Sequence, residues 1–134
     1  MSDRIFTLEE ANRLLPELME LIIQLRELRR NITRLHDQLC SLEIQDKNLG
    51  ENVVHFEYRR LKSLYEESFH QFHQRMSRIK NMGCIIQDIE LGLVDFPYLH
   101  QGELVFLCWK WGEEEIKYWH TLEDGFMGRR PLLR

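Results

Sequence analysis

The chain has 134 residues, a length that predicts one domain over 1–134 with a single hydrophobic core. Its apolar fraction of 43% is that of a globular protein, and its net charge of -4 gives no overall attraction to nucleic acid or to an anionic membrane. We expect neither a membrane-spanning helix nor a signal peptide, because no apolar run is long enough. The three cysteines are odd in number and far apart, which argues against a disulfide framework and favours a reducing cytoplasm.

The first helix is predicted over residues 7–40. Thr7 and Glu10 have the spacing of a capping box, in which the threonine caps the first turn and the glutamate reaches back. Pro16 predicts a kink, because proline removes a backbone hydrogen bond and clashes with the preceding turn. After Pro16, apolar residues recur in alternate steps of three and four, as in a coiled coil. They are Leu18, Leu21, Leu25, Leu28, Ile32, Leu35 and Leu39.

The second helix is predicted over residues 53–82, and Gly83 provides a stop. A polar loop over residues 41–52 would connect it to the first helix. Folding the two helices back on each other gives one antiparallel register, in which Leu28 meets Tyr65. A two-helix hairpin cannot bury the whole of its apolar seam, so we expect a homodimer through the helices.

Strand-like segments follow the helices, and a tail covers residues 123–134. Three strands are predicted, over residues 84–90, 103–110 and 114–122. The predicted fold class is therefore α+β: a long antiparallel helical hairpin, then a small three-stranded antiparallel sheet and a C-terminal arm.

Gly112 sets the expected register of the last two strands, as the first central residue of a type II′ turn. Side chains alternate along a strand, so His120 would share the apolar face with Trp109. Cys108 would point to the opposite face, together with Trp119. We therefore interpret Cys108 as a small buried hydrophobe and not as a nucleophile activated by His120.

His120 and Asp95 are the candidate catalytic residues. Histidine changes charge near neutral pH and serves as a base or a ligand, but a histidine at a strand end can also simply hydrogen-bond to backbone. Asp95 would orient His120 as a partly desolvated carboxylate, or else it is a turn residue that binds backbone amides. Both interpretations stay open for each residue.

Arg129, Glu113, Trp109 and Trp119 are the candidate ligand-binding residues. Arg129 follows two glycines of the tail and suits the capture of a carboxylate or phosphate, so a small anionic ligand is expected. In the alternative, the tail docks on the sheet and Arg129 pairs with an acid such as Asp95.

No metal ligands are predicted, and the cofactor is unknown. Glu67 and His70 have the spacing of one half of a di-metal motif, but such a site needs the motif twice, and the first helix has only His36. Common nucleotide-binding and hydrolase motifs are absent. Two groups of basic residues leave weak nucleic-acid binding as an alternative. They are Arg26, Arg29, Arg30 and Arg34, and then Arg75, Arg78 and Lys80 with His70 and His73.

Several segments together resemble a bacterial family described as a domain of unknown function, DUF2203. They are FTLEEANRLLPEL at the start, GLVDFP at Gly92–Pro97, LCW at Leu107–Trp109, Gly112 with Glu113, Trp119 with His120, and Gly128 with Arg129. The resemblance covers nearly the whole chain. It implies the same fold, and it implies no particular activity.

We therefore predict a small cytoplasmic binding or adaptor protein that self-associates through its helical hairpin. The alternative is a ligand- or metal-binding enzyme with a site near Asp95, His120 and Arg129. Whether the protein is an enzyme is left open, and no membrane partner is expected.

Overall fold

The computed structural model describes residues 4–45 and 51–132 and has two helices followed by a five-stranded antiparallel sheet. This confirms the predicted α+β class, although the sheet has five strands where three were expected. The helices are α1 (Leu8–Gln45) and α2 (Glu51–Met82). The strands are β1 (Ile85–Asp88), β2 (Leu93–His100), β3 (Glu103–Lys110), β4 (Tyr118–His120) and β5 (Arg130–Pro131), with a short 3₁₀ helix at Phe126–Gly128 before β5.

The start of α1 is fixed by the predicted capping box. The Thr7 amide donates to Oε1 of Glu10 at 2.8 Å, and the Glu10 amide donates to Oγ1 of Thr7 at 3.1 Å. These bonds hold the pKa of Glu10 below its usual value. The helix continues through Pro16 and extends beyond the predicted end at residue 40. The kink stays a prediction, and part of the predicted loop lies outside the described residues.

The chain divides into two compact units. The first contains the beginning of α1 as far as Ile23, the end of α2 from Met76, and the sheet. Phe6 seats the N-terminal segment on the sheet, because its ring meets the Phe96 ring edge-on at 5.3 Å and its amide donates to the Pro97 carbonyl at 2.8 Å. Apolar side chains from both helix ends and the sheet form the core of this unit. They include Ala11, Leu15, Leu18, Ile22, Ile79, Val94, Phe96, Leu107 and Trp109.

The second unit, Gln24–Arg75, contains the remaining parts of both helices. Arg75 donates to the side chain of Gln24 at 3.0 Å, which joins the two helices at one end of the unit. The Tyr65 ring lies 6.4 Å from the His36 ring, about two turns further along α1 than its predicted partner Leu28. The antiparallel pairing is therefore as expected, but its register is shifted.

β2 is the strand that the sequence prediction missed. It lies between β1 and β3 in a sheet with the order β1-β2-β3-β4-β5. Its first four residues are all buried, so it lacks the alternation of an amphipathic strand. Gln101 and Gly102 connect it to β3 with φ angles of 52° and 84°, the positive values of a type I′ turn.

The predicted register of β3 and β4 is wrong by one residue. The turn runs from Lys110 to Glu113, whose amide donates to the Lys110 carbonyl at 3.0 Å, so Gly112 is its second central residue, with φ 102°. The chain then continues through residues 111–117 before β4 begins. The observed pairs are Phe106 with His120, Leu107 with Trp119 and Cys108 with Tyr118.

Candidate functional site

Three side chains of different chemistry meet on one face of the sheet. Asp95 on β2 lies directly opposite Cys108 on β3, and His120 on β4 points to the same side. The expectation that Cys108 and His120 occupy opposite faces is therefore wrong. Strand alternation places these side chains on the other side of the sheet from Phe96, the residue that contacts Phe6.

This polar cluster is almost completely buried. The exposed fractions are 2% for Asp95, 1% for Cys108 and 3% for His120. Asp95 is a strand residue, so the interpretation as a turn residue does not hold. A substrate in solution cannot reach these groups in this conformation. The geometry therefore does not favour the alternative of an enzyme with an open active site here.

His120 uses its two ring nitrogens differently. Nδ1 lies 2.7 Å from the Thr121 carbonyl, and because a carbonyl only accepts, Nδ1 carries a proton and donates it. Nε2 lies 3.0 Å from Oδ1 of Asp95. That contact lacks the direction of a hydrogen bond, so the buried Nε2 has no hydrogen-bond partner among the described residues. We therefore treat the Asp95 contact as electrostatic.

The other members of the cluster are held from outside it. The second oxygen of Asp95, Oδ2, accepts a hydrogen bond from the side chain of Gln87 at 3.0 Å. Burial raises the pKa of the Cys108 thiol to about 12, and the charge of Asp95 adds to this, while Arg129 opposes it. The thiol is therefore protonated at neutral pH and is a poor nucleophile.

Arg129 covers this region from the tail and pairs with Glu113. Its guanidinium meets the carboxylate in a fork, with Nη1 at 3.1 Å from Oε1 and Nη2 at 3.0 Å from Oε2. It also lies over the rings of Tyr118, at 4.1 Å, and Phe126, at 4.5 Å. Burial lowers the pKa of Arg129, but the bonds and charge of Glu113 more than offset this and leave it raised.

Glu113 connects the tail to the turn after β3. Its Oε1 also accepts from the Lys110 amide at 2.7 Å, so the carboxylate closes the turn and binds the tail. The partner of Arg129 is thus Glu113, and not Asp95 as the docking interpretation named. Glu113 lies at the end of the turn that follows β3, and the tail meets it there through Arg129.

The two candidate tryptophans lie on the opposite face of the sheet from His120. Trp109 is completely buried, and its indole nitrogen donates to the Glu113 carbonyl at 2.8 Å. Trp119 is half-buried and stacks against His100 with ring centroids 4.5 Å apart. Neither reaches the polar cluster, since side chains alternate along each strand.

The sequence prediction named Asp95 and His120 and missed Cys108 and Gln87 as their neighbours. A type II turn has glycine as its second central residue. Placing Gly112 there would have given the observed turn after β3. Gln87 carries no such signal, because its position depends on an irregularity in the pairing of β1 with β2.

Comparison with known proteins shows the family. The model of the family described as "Uncharacterized conserved protein (DUF2203)" matches residues 4–132, and the chain belongs to this family. A search of curated proteins and a search of solved structures gave no match. In the part of the chain that the structure describes, no helix is long and apolar enough to cross a membrane.

Proposed function

We propose that this DUF2203 protein is a small binding or adaptor protein that forms a homodimer through the helical hairpin of its Gln24–Arg75 unit. The observation that carries the proposal is the exposure of large apolar side chains on this unit. Phe56 is 67% exposed and Leu64 is 45% exposed. Burial of side chains of this size against a second apolar surface is favourable.

The two side chains belong to one surface of α2. They are eight residues apart, and positions separated by four and eight residues follow one row along a helix. Arg60, between them, lines a groove of about 230 Å³ together with Leu64. On α1, Leu35 and Asn31 form the other wall of that groove. We call this the groove surface.

The groove surface suits a second copy of the same chain. The groove is lined by the buried Leu35 and Leu61 and by the exposed Leu64, so an apolar side chain of a second hairpin could pack there. In a two-fold dimer the same patch serves both partners, so exposed side chains of one hairpin can fill the groove of the other. No different partner has to be invoked.

The structure bears differently on three other expectations: a cytoplasmic location, a small anionic ligand and nucleic-acid binding. Cys40, Cys84 and Cys108 are all free thiols, which supports a cytoplasmic location in the proposal. Glu113 already pairs with Arg129, which weakens the case for a small anionic ligand there. Arg75 and Arg78 bind the α1 side chains of Gln24 and Glu17, so this basic group does not favour nucleic acid.

The test compares two double variants of α2 by light scattering after size exclusion. Phe56→Gln with Leu64→Gln removes the apolar groups of the groove surface and is expected to weaken dimerisation at least tenfold. Lys62→Gln with Glu66→Gln changes exposed polar positions on the same helix and should leave the dimer intact. Equal masses for both double variants would contradict the proposed surface, provided that circular dichroism shows them equally helical.

A further inference from the structure

We propose that Asp95, Cys108 and His120 form a binding site for one divalent transition-metal ion of the zinc class. A carboxylate oxygen, a sulfur and a ring nitrogen from these residues all lie within 4.8 Å of one another. Each comes from a different strand of the sheet, so a metal at this point would join β2, β3 and β4. This inference does not depend on self-association.

The donor set is the first argument. Thiolate, imidazole and carboxylate are the three ligand types that Zn²⁺ takes from proteins, and a mixed sulfur and nitrogen set disfavours Mg²⁺ and Ca²⁺. With metal–ligand bonds of about 2.0–2.3 Å, tetrahedral neighbours lie roughly 3.3–3.5 Å apart. His120 and Asp95 are already 3.0 Å apart, and the Cys108 sulfur, within 4.8 Å of both, would move closer when a metal binds. Three protein ligands leave the fourth position to a water molecule or another donor.

The ring nitrogen of His120 is the second argument. Nδ1 carries the proton that goes to Thr121, so in a neutral ring Nε2 has an unused lone pair and lies 3.0 Å from Oδ1 of Asp95. Two acceptors in this position repel each other unless a cation lies between them. A second proton would meet this need for His120 and Asp95 alone. A metal ion meets it and also uses the sulfur of Cys108, which stands within reach of both.

The surroundings of the three residues are the third argument. A histidine that binds a metal normally donates its other ring N–H to a carbonyl or carboxylate, as Nδ1 does to Thr121. A carboxylate that binds a metal is normally held by a further hydrogen bond, as Asp95 is by Gln87. These two hydrogen bonds use Nδ1 of His120 and Oδ2 of Asp95, so Nε2 and Oδ1 stay available to a metal.

Charge balance is consistent with burial. A divalent cation with one thiolate, one carboxylate and one neutral imidazole has no net charge, and a buried charge is stable only when it is compensated in this way. The thiol proton of Cys108 passes to solvent when the metal binds. Arg129 near the sulfur is neutralised by Glu113, so it adds little positive charge that would oppose the metal.

The experiment uses the full-length protein, treated with a chelator and then titrated with Co²⁺. We expect one equivalent to bind and to give a thiolate-to-cobalt charge-transfer band, which Zn²⁺ then removes by displacement. Cys40 needs a control, because its sulfur lies 3.8 Å from Nε2 of the exposed His36 and could bind metal adventitiously. The double variant Cys40→Ser with Cys84→Ala keeps Cys108 alone and should retain the band at full strength.

Variants of the site give the complementary result. Cys108→Ser is expected to abolish the band, and Asp95→Asn and His120→Gln to weaken Co²⁺ binding at least tenfold, with circular dichroism as the check of folding. The proposal is overturned if the folded wild-type protein binds no equivalent of Co²⁺ or Zn²⁺, if the band survives in Cys108→Ser, or if it disappears in the variant that lacks Cys40 and Cys84. Should the site variants fail to fold, the wild-type protein and the double variant decide the matter.

Discussion

At the scale of single residues, burial gives the three cysteines different chemistry. Cys84 and Cys108 are buried, and desolvation raises the pKa of each thiol to about 12. Cys84 also directs its sulfur at the Ile79 carbonyl, 3.5 Å away. Cys40 is exposed on α1. Because the thiolate is the reactive form of cysteine, burial and the raised pKa both lower the reactivity of Cys84 and Cys108.

We expect one fast and two slow thiols when the metal-free protein is labelled with a thiol-specific reagent at neutral pH. Cys40 should react at the rate of a free thiol, and the other two should react only when the protein opens or unfolds. Mass spectrometry of the labelled peptides identifies the sites, and Cys40→Ser should lack the fast phase. Rapid labelling of Cys108 in the folded protein would show that the polar cluster is accessible.

At the scale of secondary structure, most local signals in the sequence predicted the right element. The capping box of Thr7 and Glu10 forms as expected, and β3 has the predicted bounds at both ends. β2 was missed because Asp95 and Pro97 are typical turn residues, whereas here they lie in a strand whose early positions are buried. Turn-forming residues inside β2 therefore concealed a strand that its burial would otherwise favour.

The candidate site was harder to predict because it depends on pairing and not on composition. A slip of one residue exchanges the two faces of a strand. The path of the chain between Gly112 and β4 decided whether Cys108 would lie beside His120 or away from it. The contact of Asp95 with His120 also depends on β2, which the prediction did not contain.

The turn between β2 and β3 offers a test of backbone strain. Gly102→Ala should lower the free energy of unfolding by about 1 kcal/mol, because an alanine resists the positive φ of 84°. The added Cβ would meet no atom within 4 Å, so the cost comes from conformation alone. Gln101→Asn should have the opposite effect, since asparagine tolerates φ of 52° better. Denaturant unfolding of both variants measures this, and an unchanged midpoint for Gly102→Ala would contradict the turn assignment.

The pair of Arg129 and Glu113 should hold the tail on the sheet. A double-mutant cycle with Arg129→Met and Glu113→Gln is expected to give a coupling of about 1–2 kcal/mol in denaturant unfolding. Methionine keeps apolar contact with Tyr118, and glutamine keeps an acceptor for the Lys110 amide.

Arg130 provides the matched control for this pair. It lies 3.5 Å from Asp124, and both side chains are exposed, so a cycle at these positions should give a coupling near zero. Equal couplings for the two pairs would show that burial of the Arg129 pair does not strengthen it.

At the scale of the whole molecule, the two units carry different candidate sites. In the unit that contains the sheet, the candidate metal ligands Asp95, Cys108 and His120 are buried. The Gln24–Arg75 unit carries exposed apolar side chains on α2, Phe56 and Leu64, and Leu64 lines a groove between the two helices. Each unit therefore supports a separate proposal, a metal site in one and self-association in the other.

Sedimentation equilibrium of the wild-type protein over a wide range of concentrations tests the central proposal of self-association most directly. The apparent mass should rise with concentration from the 16.3 kDa of one chain toward twice that value and then stop, because a two-fold interface closes on itself. A mass that stays at 16.3 kDa at every concentration would contradict the proposed homodimer.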